Sequence, residues 1–373
     1  MQSPFSEEHD QYRRALRRFL DAELEPNIEK FVEAGGHDAT LWKKAGEAGL
    51  LGVTIPEEYG GPGGDKLFNV IQSEEMGRSL GGATVGSSIS SDLATSLLVD
   101  YGTHEQKLRW CPGILAGDTI QAFAVTEPQS GSDFTAMRTR AVRQGDEWVV
   151  NGSKTFISNV TKAGLIYLFA MTNSTDRVTC FLLDAKSPGI SRAKLKSMGQ
   201  PAGNVGELFL DNVRIPHDAV LGNENEGLKV AFNTFSVDRL CIAARALSEA
   251  ELAFRLTLEF VRTRESFGHK IVEYQNTQYK LAEMKTALEV ARAFHERCIW
   301  DYREGRLELA RSAMVKLHSA QTACRVVDDC VQLHGGAGWM DASPVSRIYT
   351  SLRLSRIYAG TDEMQKIAIA RTL

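Results

Sequence analysis

The run Gln121-Ala122-Phe123-Ala124-Val125-Thr126-Glu127-Pro128-Gln129-Ser130-Gly131-Ser132-Asp133 begins as a strand, ends in a turn of small residues, and stands where the hydrophobic rhythm of the chain changes. Before it, over about residues 5–117, apolar residues recur at the helical period. After Ser6-Glu7-Glu8, for example, Tyr12, Leu16, Phe19 and Leu20 fall near one face. Beyond it, to about residue 221, the period is 2, in short segments near 147–150, 165–171, 178–183 and 207–210 separated by Gly, Asn, Asp, Ser and Pro. From Asn225 the helical period returns, as at Leu281, Met284 and Leu288, in long runs expected to pack as a bundle. The order predicts a mostly α chain with a middle β domain, divided into 1–120, 121–224 and 225–373.

A chain of 373 residues with 43% hydrophobic and 24% charged content is long enough for two or three domains with substantial cores. A formal charge of -4 gives no footprint for nucleic acid or an anionic membrane surface. No apolar run approaches the ~20 residues of a membrane helix, and the acidic, polar start does not read as a targeting peptide. Six cysteines without a Cys-x-x-Cys pair, set among apolar neighbours, read as buried thiols of a reducing compartment rather than disulfides or a metal site, so a cytoplasmic protein with no metal is expected. The glycine-rich stretch at 56–64 has no adequate strand before it and no Lys-Ser/Thr after it, and reads as a turn rather than a phosphate cradle.

Small residues at 130–132 let backbone amides approach a ligand, and Thr126 and Ser132 add hydroxyl donors suited to a flat heterocycle. The same residues are ordinary turn chemistry, and taken alone they leave both readings open. The pattern Ala-Val-Thr-Glu-Pro-x-x-Gly-Ser-Asp resembles the first signature of the acyl-CoA dehydrogenase family. Further matches follow in family order: Asn151-Gly152-Ser153-Lys154-Thr155-Phe156-Ile157-Ser158-Asn159, Met198-Gly199, Asp211-Asn212-Val213-Arg214-Ile215-Pro216, Arg264-Glu265-Ser266-Phe267-Gly268, Gln332-Leu333-His334-Gly335-Gly336-Ala337-Gly338-Trp339, then Pro344, Arg347, the segment through Glu363, and Ile369-Ala370-Arg371. The resemblance covers nearly the whole chain.

It implies an N-terminal helical domain, a β-barrel-like middle domain and a C-terminal four-helix bundle, with FAD as cofactor. On the matching positions, Phe123, Val125, Thr126, Gly131 and Ser132 would meet the isoalloxazine or its linker, and Phe156, Ile157 and Ser158 would cover the ring's other side. Arg264 would meet the pyrophosphate, a role suited to a fixed fork of donors; the competing reading is a surface ion pair with Glu265. Phe267, Gln275, Gln332, Gly335, Gly336, Thr361 and Glu363 would wrap the adenine dinucleotide, partly across a subunit boundary, which implies a homo-oligomer, expected as a tetramer. His334 has no partner at ligand spacing and reads as structural, and Trp339 and Tyr349 are assigned to packing. An electron-transfer flavoprotein is the implied acceptor.

The family's usual base is missing. In Arg356-Ile357-Tyr358-Ala359-Gly360-Thr361-Asp362-Glu363 an alanine stands where the motif has glutamate, and a methyl group takes no proton. Some members place the carboxylate on a C-terminal helix within Glu-Arg-Leu, and this chain reads Val237-Asp238-Arg239-Leu240 there. Asp238 is the candidate base, the alternative being a helix aspartate paired with Arg239 or Arg245. Ser132, Arg239, Ala359 and Gly360 are the candidate contacts to an acyl-CoA or acyl carrier protein thioester, Ala359 through its backbone amide. Asp92 is a further candidate, as an acyl-pocket residue or a helix cap. The expected reaction is FAD-dependent α,β-dehydrogenation to the 2-enoyl thioester, with a branched or alicyclic acyl group. A flavin oxidase of the same superfamily and an inactive scaffold remain open as alternatives.

Overall fold

A computed structural model describes residues 3–86, 92–172 and 177–373. The N-terminal domain holds α1 (Glu7–Phe19), α2 (Ile28–Glu33), α3 (Thr40–Glu47), α4 (Leu67–Arg78), α5 (Leu80–Val85), α6 (Asp92–Tyr101) and α7 (His104–Leu115). Helix α1 starts at Ser6, whose hydroxyl caps the His9 amide while His9 Nδ1 accepts from the Ser6 amide. Acidic residues fill its first turn and Arg17 and Arg18 its last, as the helix dipole favours. Tyr12, Leu16, Phe19 and Leu20 are all buried, as their spacing predicts. Arg13 and Arg17 then tie α1 to Glu74 and Glu75 of α4.

The middle domain comprises β1 (Gln121–Ala124), β2 (Arg140–Gln144), β3 (Glu147–Ser158), β4 (Leu165–Thr172), β5 (Val178–Asp184), β6 (Ile190–Lys194) and β7 (Val205–Pro216) in one sheet, ordered β1-β4-β2-β3-β7-β6 with β5 on β4. Strands β3 and β7 run longer than their alternation suggests, because register shifts between Val150 and Gly152 and between Lys154 and Ile157 break the period of 2 without ending the pairing.

The C-terminal domain runs through α8 (Gly227–Asn233), α9 (Phe235–Thr263), a hairpin of β8 (Glu265–Ser266) and β9 (His269–Lys270), α10 (Gln275–Arg303), α11 (Leu309–His334), α12 (Gly336–Trp339), α13 (Pro344–Leu352) and α14 (Asp362–Ala370). Met284 and Leu288 are buried in the bundle with Ala246, Leu247, Val326 and Ile348. Three of its helices are long, and the short α13 packs against α9 and α11. The N-terminal domain joins it through α4, which lies against α9. Gly77 makes this possible: a Cβ there would stand 2.5 Å from the Arg245 carbonyl oxygen. The 56–64 stretch is a folded turn, with the Gly63 and Gly64 amides donating to the Ile55 and Val53 carbonyls. All six cysteines are free thiols.

Candidate active site

The turn after β1 is held from beneath. Glu127 and Ser130 exchange backbone hydrogen bonds, and the Ser130 hydroxyl donates to the Asp133 carbonyl. Lys154, with no exposed surface, donates from Nζ to Glu127 Oε1 at 2.7 Å and to the Val125 carbonyl at 3.0 Å. Glu127 also accepts from the Arg138 and Thr139 amides. Burial pulls the Lys154 ammonium down to about 8 although Glu127 supports its charge. For Glu127, burial acts to raise the carboxyl, but Lys154 and the hydrogen bonds outweigh it and the net shift is downward. This buried pair leaves Thr126, Gly131 and Ser132 at or near the surface on a fixed frame. Sequence spacing showed both residues inside family motifs but not that they meet.

The neighbouring strand offers a flat aromatic surface. Phe156 sits in the register shift of β3 at φ +59°, a strained region that turns its ring outward, 69% exposed. Phe123 is partly exposed and packs edge-on against Phe169 at 5.0 Å. Ile157, by contrast, is buried in the sheet core, so only its backbone is placed to meet a ligand. A Cβ on Gly131, Gly335 or Gly336 would meet nothing within 4 Å, so close approach to these backbones is open. Exposed rings, hydroxyls and open amides are the donor set that a flavin dinucleotide requires.

From this turn a file of rings leads to α9. Phe134, two residues after Ser132, packs on Phe232 at 6.0 Å; Phe232 packs on Phe235 at 5.0 Å; and the Arg239 guanidinium lies 5.7 Å from the Phe235 ring. Asp238 is on the same first turn of α9. Its Oδ2 accepts from the Thr234 hydroxyl at 3.2 Å, and its Oδ1 is buried without a hydrogen-bond partner. Burial pushes the carboxyl up to about 7, against the smaller opposing effects of Thr234, Arg239 and Lys66. Neither arginine pairs with it. Arg239 turns to α11, donating to the Leu309 carbonyl and the Ser312 hydroxyl, both at 3.2 Å, so its guanidinium is engaged within the bundle; Arg245 pairs with Glu249.

One turn along α11 from Ser312 stands Lys316, buried, whose Nζ donates to the Gly360 carbonyl at 2.8 Å. Burial lowers this ammonium to about 8, with Asp362 acting to raise it. Gln365 donates to the Ala359 and Gly360 carbonyls at 3.1 and 2.8 Å. Together they clamp a turn in which Ala359 at φ +50° and Gly360 at φ +92° are both left-handed. For alanine this conformation costs about 1 kcal/mol. Lys316 and Gln365 lie outside the quoted motifs, and nothing in their spacing signals the clamp.

The predicted dinucleotide positions occupy one domain and are mostly exposed: Arg264, Phe267 and Gln275 around the β8–β9 hairpin, and Gln332, Gly335 and Gly336 where α11 gives way to α12. Arg264 makes no ion pair with Glu265 among the described residues. Phe267 is 96% exposed at φ +50°. Thr361 caps α14 through its hydroxyl, and Glu363 is exposed in that helix's first turn. His334 is structural, stacked on Phe260 at 4.3 Å with Nδ1 2.8 Å from the Cys330 carbonyl. Trp339 corrects an expectation: assigned to packing, it is 80% exposed. Tyr349 is likewise on the surface rather than in the core. Asp92 begins α6, but its side chain lies outside the described residues. Among the described residues no cluster suited to a metal ion occurs, and no helix is long and apolar enough to cross a membrane.

Comparison with known proteins gives three consecutive family matches: Acyl-CoA dehydrogenase, N-terminal domain over 6–118, middle domain over 122–213 and C-terminal domain over 225–373. The chain is 39% identical over 375 residues to the long-chain specific acyl-CoA dehydrogenase, mitochondrial, of Rattus norvegicus, spanning 99% of this chain and 87% of that one. The solved acyl-CoA dehydrogenase of Geobacillus kaustophilus superposes with a TM-score of 0.94 at 34% identity, covering 99% of this chain and 98% of the other. A glutaryl-CoA dehydrogenase of Mycobacterium smegmatis in complex with FADH2 superposes at 0.91 with 29% identity, covering 99% and 95%.

Proposed function

The chain belongs to the acyl-CoA dehydrogenase family, and from that footing we propose that it desaturates an acyl thioester between the α and β carbons with Asp238 as the base. FAD, the family's cofactor, supplies the acceptor for the hydride leaving the β carbon. The observation that carries the role of Asp238 is its unpartnered, buried Oδ1 on a carboxyl held near 7, together with the alanine at 359. A group of that pKa is ionised often enough at neutral pH to accept a proton and basic enough to hold it.

The rest of the site follows from what each residue can do. The amide of Ala359, in a turn clamped by Lys316 and Gln365, would donate to the thioester carbonyl and so acidify the α carbon. Thr126, Ser132, Phe123, Phe156 and Ser158 would hold the flavin ring, and Arg264 its pyrophosphate. Arg239 fixes the first turn of α9 against α11 and so positions Asp238. An aspartate is one C–C bond, ~1.5 Å, shorter than glutamate, which favours a branched or ring-bearing acyl group that brings its α-hydrogen closer. The electrons would pass to an electron-transfer flavoprotein, from a homotetramer.

Anaerobic titration of the flavin-loaded protein with a panel of acyl-CoA thioesters tests this reading. Bleaching by branched or alicyclic thioesters is expected, abolished in Asp238→Asn. Full bleaching kinetics in that variant would remove Asp238 from the role, and best bleaching by unbranched chains would remove the substrate preference. Reoxidation of the reduced protein by air within seconds would favour an oxidase.

A further inference from the structure

Arg245 and Glu249 lie seven and eleven residues beyond Asp238 on α9. At 100° per residue all three project within about 20° of one direction, and the charged pair stands roughly 10 and 16 Å up the axis from the base. An Arg–Glu pair four residues apart is commonplace on a solvent face, but here the residues are only 6% and 2% exposed. Arg245 donates from Nε to Glu249 Oε1 at 2.8 Å, from Nη1 to the Gly86 carbonyl at 3.0 Å and from Nη2 to the Gly82 carbonyl at 2.9 Å. The Ser351 hydroxyl reaches Glu249 at 3.5 Å and accepts from Gln200 at 3.4 Å. The pair thus sits where all three domains meet, lining a small cavity with Gln200, Ser351, Leu354 and Tyr358. Tyr358 precedes Ala359. Between Asp238 and the pair, the same stripe of α9 carries the buried, apolar Cys241 and Ile242.

We propose that the Arg245–Glu249 pair is the floor of the acyl channel and restricts this enzyme to compact acyl groups, an inference that rests on the function proposed above. An acyl chain placed with its α carbon at Asp238 and running along this stripe finds apolar wall for about two turns and then a fixed ion pair. Advancing ~1.3 Å per methylene, it meets the guanidinium within about eight carbons. A longer chain must press its terminal methyl on buried charge or pull Arg245 from its partners, leaving Glu249 buried and alone. The cavity at the floor is too small to take the excess length. Branched and cyclic groups fill width rather than depth and escape this limit.

The test is kcat/KM of the holoenzyme over butyryl-, isovaleryl-, hexanoyl-, octanoyl-, lauroyl- and palmitoyl-CoA. The wild type is expected to lose at least tenfold between hexanoyl and lauroyl. Arg245→Leu/Glu249→Leu removes both charges together, and should raise the lauroyl-to-hexanoyl ratio at least tenfold. Arg245→Gln, which keeps donors for the Gly82 and Gly86 carbonyls, should raise it severalfold and serves where the double variant does not fold. A wild type that prefers lauroyl or palmitoyl, or a folded, flavin-loaded variant with an unaltered ratio, overturns the floor while leaving the reaction intact. Failure of every thioester to bleach the flavin instead overturns the function, and the floor with it.

Discussion

The Thr234 hydroxyl donates to Oδ2 of Asp238 across 3.2 Å, one helical turn away. That bond favours the ionised carboxyl and opposes the burial that lifts it to about 7. In Thr234→Val that part of the opposition is gone, leaving Arg239 and Lys66. The ascending limb of kcat/KM against pH, expected near 7, should move up by about half to one unit. A limb that stays put or moves down would show that the hydroxyl does not tune the base.

Asp238→Asn separates chemistry from stability. Loss of a positioned base lowers kcat by about 10²–10⁴. The ordinary aspartate value is 3.8 and the folded value about 7, so between them the folded state keeps a proton that the unfolded chain releases. The stability this gives is complete below the ordinary value and is lost as pH rises through the folded one. The neutral amide suffers no such loss. Unfolding free energies from urea titration should therefore nearly coincide at pH 4 and favour the variant by about 1–3 kcal/mol at pH 8. Equal free energies at both pH values would mean the carboxyl is well solvated.

The base should be movable. Ala359 already adopts the left-handed backbone beside the site, and glutamate tolerates it about as well as alanine. Asp238→Ala/Ala359→Glu should regain at least tenfold of the kcat lost in Asp238→Ala alone, with preference shifting towards straight chains. No recovery, with FAD content normal, would place position 359 out of reach of the α carbon.

Lys154 and Glu127 are a buried pair with other hydrogen bonds satisfied. Removing one partner strands a charge, so Lys154→Met should destabilise by about 3–5 kcal/mol. FAD content should fall with it, because Val125 and the turn lose their anchor. Lys154→Met/Glu127→Gln should recover part of the loss. A single variant with normal melting temperature and flavin content would show that the turn holds without the pair.

Much of this was legible in the residues. The change of period around 121–133 gave the domain order, and the empty position 359 directed attention to Asp238. What stayed hidden was tertiary. Arg245 and Glu249 have the spacing of a solvent-facing pair, and it is the approach of α4 and α5, permitted by Gly77, together with Gln200, Ser351 and Tyr358, that buries them. Lys154 alternates correctly for an inward position, but alternation cannot name Glu127 as its partner. Register shifts concealed the full lengths of β3 and β7, and Trp339 carried a core residue's chemistry at a surface position. Each failure has the same root: pattern along one segment reports which face is turned inward, not what comes to meet it.

The clamp that Lys316 and Gln365 place on the 359–360 turn acts through carbonyl oxygens and is indifferent to the side chain held there. A peptide N–H cannot be deleted by substitution, proline aside. On the proposed reading, the cradle is therefore compatible with a carboxylate at 359 or with a shorter one 121 residues upstream at 238.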